Sequence, residues 1–285
     1  MKITKIQNVI LPLVFLAAAC GSGTDHKTET TKSDTPVEEE VKTQETESTD
    51  RDVSIVFPSA VEIMTVFENA GLKYEKGLTL DPAHLNNFNT KFQKSIATGI
   101  YTADLAYCVV NNQSQEALKY LKSVIDISKK LGIDAISDVP KTTKDFEAAL
   151  GDKEKTLDVL EKIQMETDTY VEDNGLQSLA VVIFSGAWLE GVYLAIETND
   201  EWNNEELSDK MLDQMYVLEN LLVSLESSGM TSADYQAYLA SLKSLNESFS
   251  NMQNSSTEDE GLSLMQLKDL ANQIVEIRKE HFLPH

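Results

Sequence analysis

From Val53 to His285, apolar residues recur three and four positions apart rather than alternately, the signature of amphipathic helices. The first helix is expected from near Pro58 to Asn69, with Val61, Met64 and Phe67 as its stripe and Gly71 as its stop. GLKYEKGLTL, from Gly71 to Leu80, reads as a loop, with Tyr74 exposed or tucked against the bundle. Asp81-Pro82 opens a second helix, because Asp caps and Pro suits the first helical position. Its stripe is Leu85, Phe88, Phe92 and Ile96, and Gly99 is expected to kink or break it before Ile100 to Val110. Asn111 to Ser114 is a turn, and the next stripe runs from Ala117 to Leu131 and stops at Gly132. Thr142 with Asp145 starts a short helix to Leu150, and Thr156 to Glu172 forms another, ended by Asn174-Gly175.

The densest apolar run is Gly175 to Asn199, where Glu190 is the only charge between Leu179 and Ile196. Those 18 residues are long enough to span a membrane. A helix apolar on all sides is buried either in lipid or in a protein core. No basic cluster flanks this run, and Glu197, Asp200 and Glu201 follow it, so the core reading is preferred. Ser185, Gly186, Ala187 and Gly191 would let neighbouring helices approach closely. Three long amphipathic helices follow. Asn203 with Glu206 caps the first and Thr231 with Asp234 the second, and Leu267, Leu270, Ile274, Ile277 and His281 form the stripe of the third. The fold expected is all-α: a single bundle of about eight or nine antiparallel helices with narrow apolar seams.

Residues 1–19 have the layout of a signal peptide: Lys2 and Lys5, a short apolar core from Val9 to Leu16, then Ala17, Ala18 and Ala19. Cys20 after these small residues resembles the lipobox of bacterial lipoproteins, in which the cysteine is acylated and becomes the mature N-terminus. The match departs from that pattern at Ala17, where leucine is usual. Residues 20–52 then form an acidic tether, with ten acids and four bases between Gly21 and Asp52. So few apolar side chains cannot offset chain entropy, so the segment is expected to be disordered. Residues 53–285 form the helical domain.

The chain carries a formal net charge of −23, and 37 acids and 18 bases fall in residues 53–285. Such a surface argues against nucleic acid and against anionic lipid headgroups. If Cys20 is acylated, Cys108 is the one remaining thiol, and its apolar neighbours make it a buried hydrophobe.

Four segments, GLKYEKGLTL, GIYTADLAYCVVNNQSQEALKYLK, QMETDTY and FSGAWLEGVY, resemble in that order a set of helical lipoproteins of Bacteroidetes-type bacteria. The resemblance covers roughly Phe57 to Glu197. It implies an envelope location, most simply an outer-membrane lipoprotein facing periplasm or exterior, and a helical fold. No activity is established for that set, so the resemblance implies no reaction and supplies no catalytic residue.

No motif for metal, nucleotide, cofactor or nucleophilic catalysis occurs. There is no Glu-x-x-His pair, no Cys-x-x-Cys and no P-loop, and Ser185-Gly186 lies within a helix pattern rather than at a strand-to-helix turn. Two isolated acids stand out. On helices, Asp104 shares a side with Tyr101, Tyr107, Cys108 and Asn111, and Glu190 with Gly186, Ala187, Tyr193 and Leu194. Ionised carboxylates there need partners. They form either a ligand pocket or, the preferred reading, a structural network satisfied by tyrosine hydroxyls, capping groups or a lysine. The function expected is that of a lipid-anchored binding or scaffolding module with an envelope protein or small molecule as partner. The alternatives are a hydrolase with an unmarked site and a structural spacer.

Overall fold

The computed structural model describes residues 57–199, 202–255 and 262–282. The expected leader, Cys20 and the tether lie outside the described residues. Among the described residues every regular element is helical: nine α-helices and one short 3-10 helix. In order they are α1 (Ala60–Asn69), the 3-10 helix (Pro82–Asn87), α2 (Lys91–Val110), α3 (Ser114–Leu131), α4 (Val139–Ala149) and α5 (Lys153–Asp173), followed by α6 (Gln177–Glu197), α7 (Glu205–Glu226), α8 (Ala233–Ser255) and α9 (Leu264–Phe282).

Local chemistry sets the boundaries. Ser59 and Glu62 close a capping box on α1. Asp81 accepts from the Ala83 amide at 2.9 Å, but the helix it opens is only the six-residue 3-10 helix. Phe88 is extended, and Thr90 with Gln93 forms a second capping box that starts α2 afresh. The single helix expected from Asp81 through Ile96 is therefore two elements, divided by a polar Asn-rich turn that competes for backbone hydrogen bonds. α4 begins at Val139 rather than Thr142, because Asp138 caps it and Pro140 fits its first turn. Asp152 likewise starts α5 at Lys153, earlier than Thr156. Asn204, not Asn203, caps α7, and its amide also donates to the Ala70 carbonyl at 2.7 Å, tying α7 to the end of α1. α8 starts at Ala233, just past the expected Thr231 cap.

Two helices hold the centre. α6 buries its apolar run, with 72% of its most apolar 18-residue window inside the fold. By length and composition alone this helix is able to cross a membrane; here neighbouring helices cover it. α2 is buried more completely, over sixteen of its twenty residues, although Lys91, Lys94, Thr98 and Asp104 make it look less apolar in sequence. α1 and α3 pack against α2, while α1, α7 and α9 pack against α6; α8 lies between α7 and α9. α4 and α5 pair with each other at the periphery.

Gly99 neither kinks nor breaks α2, which runs unbroken through it. Its function is contact. A Cβ at Gly99 would lie 1.9 Å from the Ile183 carbonyl oxygen, and one at Gly186 would lie 2.4 Å from that of Ile96. α2 and α6 therefore meet backbone against backbone at this pair of glycines. Small residues beside them, Ala97 and Ser185, are completely buried at the crossing.

Overpacked core positions usually cost ~1–3 kcal/mol, and the obstacle here is backbone rather than a movable side chain. Gly99→Ala and Gly186→Ala should each lower stability by at least that amount in chemical denaturation, with Gly99→Ala the worse because its clash is closer. A protein from Val53 onward should also give a strongly helical circular dichroism spectrum and remain soluble without detergent.

Candidate functional site

One helical turn or so beyond the glycine crossing, α2 and α6 each place a carboxylate in the interior: Asp104 and Glu190, both 0% exposed. Arg278 of α9 completes the group. Its Nε donates to Glu190 Oε2 at 2.6 Å and its Nη2 donates to Oε1 at 2.7 Å, a two-pronged charged contact. Nη2 also donates to the Leu78 carbonyl at 3.3 Å. The guanidinium carbon lies 3.7 Å from the centre of the Tyr193 ring, a stacked cation–π contact. Asp104 Oδ2 accepts from the Leu80 amide at 3.0 Å, while Oδ1 is buried with no partner among the described residues.

The tyrosines expected to satisfy these acids do something else. Tyr107 donates to the Lys73 carbonyl at 2.8 Å and accepts from the Glu75 amide at 2.7 Å. Tyr101 donates to the Asp81 carbonyl at 3.2 Å. Tyr74 is half-buried and tilts against Tyr107, with ring centres 5.5 Å apart. Asn111 lies apart from the acids and bonds the Tyr107 carbonyl at the end of α2. Apart from Asn111, the residues bonding outward converge on the stretch from Gly71 to Asp81. Tyr107, Arg278, Asp104 and Tyr101 grip the backbone at Lys73, Glu75, Leu78, Leu80 and Asp81, so the helical core clamps a loop.

Sequence reasoning missed Arg278. A signal existed: Arg51 and Arg278 are the only arginines, and Arg278 falls four residues after Ile274 on the buried stripe of α9. A chain that otherwise relies on lysine places arginine where a planar, two-pronged donor is needed.

The electrostatics follow from burial. Desolvation pushes the Asp104 carboxyl well above its usual range, and the charge on Glu190 pushes it further. Arg278 and the Leu80 amide pull in the opposite direction without prevailing. Burial alone would lower the Arg278 pKa, but Glu190 more than compensates and keeps the guanidinium charged. Burial also raises the phenols of Tyr101 and Tyr120, with Asp104 adding to both. Cys108 is buried, and its thiol is pushed up by desolvation, the setting of an inert packing residue rather than a nucleophile.

A second feature lies at the surface. The 3-10 helix, the start of α2, the start of α8 and the end of α9 border a cleft of about 560 Å³ that includes Asn86, Asn87, Phe88, Gln93, Asp234 and His281. His281 Nε2 lies 3.0 Å from Ser241 Oγ, and burial lowers the imidazole pKa. Among the described residues no cluster of three or more His, Cys, Asp or Glu side chains is placed to hold a metal ion. Asp81 caps the 3-10 helix, and His84 Nδ1 lies 3.3 Å from the Asn87 amide nitrogen.

Comparison with known proteins found no matching family model, no matching curated protein and no matching solved structure.

Removing one member of a buried ion pair leaves the other charge unsatisfied and typically costs ~3–5 kcal/mol. Arg278→Met should reach that range in denaturant unfolding. Glu190→Gln should cost less, because Asp104 stands beside Arg278 and can ionise to take over as counter-charge. Equal losses for the two variants would show that Asp104 provides no such compensation.

Proposed function

We propose that the chain is a lipid-anchored cell-envelope protein, most simply of the outer membrane, whose helical unit works as a binding or scaffolding module. The observation that carries this reading is the order of parts. A leader ending in Ala17-Ala18-Ala19 meets Cys20, and an acidic spacer of Ser, Thr, Asp and Glu precedes a unit that buries its own most apolar helix. With that helix inside the fold, the N-terminal lipid is the means of membrane attachment. The likeness of the Phe57 to Glu197 segments to helical lipoproteins of Bacteroidetes-type bacteria supports the same placement. The cleft around His281 gives such a module a place for a small ligand, since its volume falls in the usual ~300–1,000 Å³ range.

A hydrolase reading rests on one specific contact, Ser241 with His281. It lacks the rest of a nucleophilic site. Glu280 approaches the same ring nitrogen, Nε2, at 3.9 Å, so it does not orient the imidazole through Nδ1. Ser241 also bonds back to the Ala237 carbonyl at 3.2 Å, the ordinary habit of a helical serine. The binding reading therefore stands ahead of the enzymatic one.

Cys20→Ala should lose labelling by a palmitate analogue and move from the membrane fraction to the soluble fraction of expressing cells. Wild-type protein recovered wholly in the soluble fraction would overturn the anchor.

A further inference from the structure

Two buried carboxylates share one guanidinium. Arg278 commits both of its bonding nitrogens to Glu190 and to the Leu78 carbonyl, and makes no hydrogen bond to Asp104. Asp104 lies close enough to Glu190 for the two charges to repel, and among the described residues its Oδ1 has no partner. Two ionised carboxylates at that distance would leave an uncompensated negative charge in the interior, a costly state. A proton on Asp104 removes the excess charge. It also gives Asp104 an O–H donor beside the Glu190 carboxylate.

The surroundings offer no substitute for that proton. The ionisable groups facing Asp104 are Tyr101 and Cys108 from α2, Tyr120 from α3, Glu190 and Tyr193 from α6, and Arg278 from α9. Arg278 is the one cation among them. From the loop the Leu80 amide bonds Asp104 and the Leu78 carbonyl bonds Arg278. The peptide units of Leu78 and Leu80 are thus bonded directly to the charged trio. Among the described residues the loop is the non-helical segment bonded to it, and loops are the segments that open at least cost.

We propose that Asp104 and Glu190 form a buried proton-binding site, and that the proton they share keeps the Gly71–Leu80 loop docked. With the loop displaced, Asp104 meets water and returns toward an ordinary carboxyl pKa of about 3.9. With the loop docked, its carboxyl holds the proton to higher pH. Undocking therefore releases one proton between these two values. The sign follows: the proton's contribution to docking is complete below the ordinary carboxyl pKa and fades as pH rises through the docked-state value. Across that window the undocking equilibrium grows by at most about tenfold per pH unit. The site is a pH-responsive latch on a surface segment of the module.

The test is amide hydrogen exchange at Leu80 in the purified full chain, comparing wild type with Asp104→Asn from about pH 5 to about pH 9. The substitution keeps an acceptor for the Leu80 amide and a donor toward Glu190, and it cannot titrate. Taking the ratio of the two rates at each pH cancels the intrinsic pH dependence of exchange. The wild-type-to-variant ratio should rise with pH, by no more than about tenfold per unit, and then level off. A flat or falling ratio overturns the proposal. Infrared spectroscopy of wild type at neutral pH gives a second reading that does not depend on the variant folding. A protonated-carboxyl C=O band is expected, and its absence overturns the proposal as well.

Discussion

The contact on which the rest depends is the backbone-to-backbone crossing of α2 and α6. Without side chains at Gly99 and Gly186, Ile183 and Ile96 present their carbonyls directly to the opposite helix. Such closeness maximises dispersion contact and leaves no room for water, so the surroundings are dry and dense. It also sets the spacing for everything outward of it. Asp104 and Glu190 follow the two glycines by five and four residues, so the crossing that fixes the helices also fixes the carboxylates beside one another. The interior they share with Arg278 has its low polarity because the helices come so near.

Much of the fold was legible in the sequence, because helical periodicity and capping residues are local signals. The apolar run of α6, the stripe of α9 and the Gly132 stop of α3 were all readable from spacing. What spacing could not reveal depended on tertiary context. Gly99 looked like a helix breaker, because a lone sequence cannot distinguish a glycine used for flexibility from one used for proximity. α2 seemed amphipathic because its lysines and threonines dilute its apolar count, yet it is the more completely enclosed of the two central helices. Between Asp81 and Ile96 the chain uses two caps rather than one: Asp81 opens the 3-10 helix and Thr90 opens α2.

The candidate site divides in the same way. Isolated acids on otherwise apolar helix faces were visible, since an unpaired charge disrupts a local pattern. Their partner was not, because Arg278 is 88 residues from Glu190 and its pairing is a product of the fold. Helical spacing put Tyr101 and Tyr107 on the side of α2 that carries Asp104, but spacing gives no direction for their hydroxyls. Tyr101 and Tyr107 point their hydroxyls to the loop, away from the carboxylates.

The clamp reads the loop through its peptide groups. Tyr107 takes Lys73 by its carbonyl and Glu75 by its amide, and Leu78 and Leu80 are likewise held by main-chain atoms. Nothing in that grip depends on the side chains of Lys73, Glu75 or Lys76, all of which face solvent. Lys73, Glu75 and Lys76 are therefore free to diverge in charge and size while the path of the chain stays fixed. A surface that holds its shape while its lettering changes presents different charge to a partner on one unaltered frame.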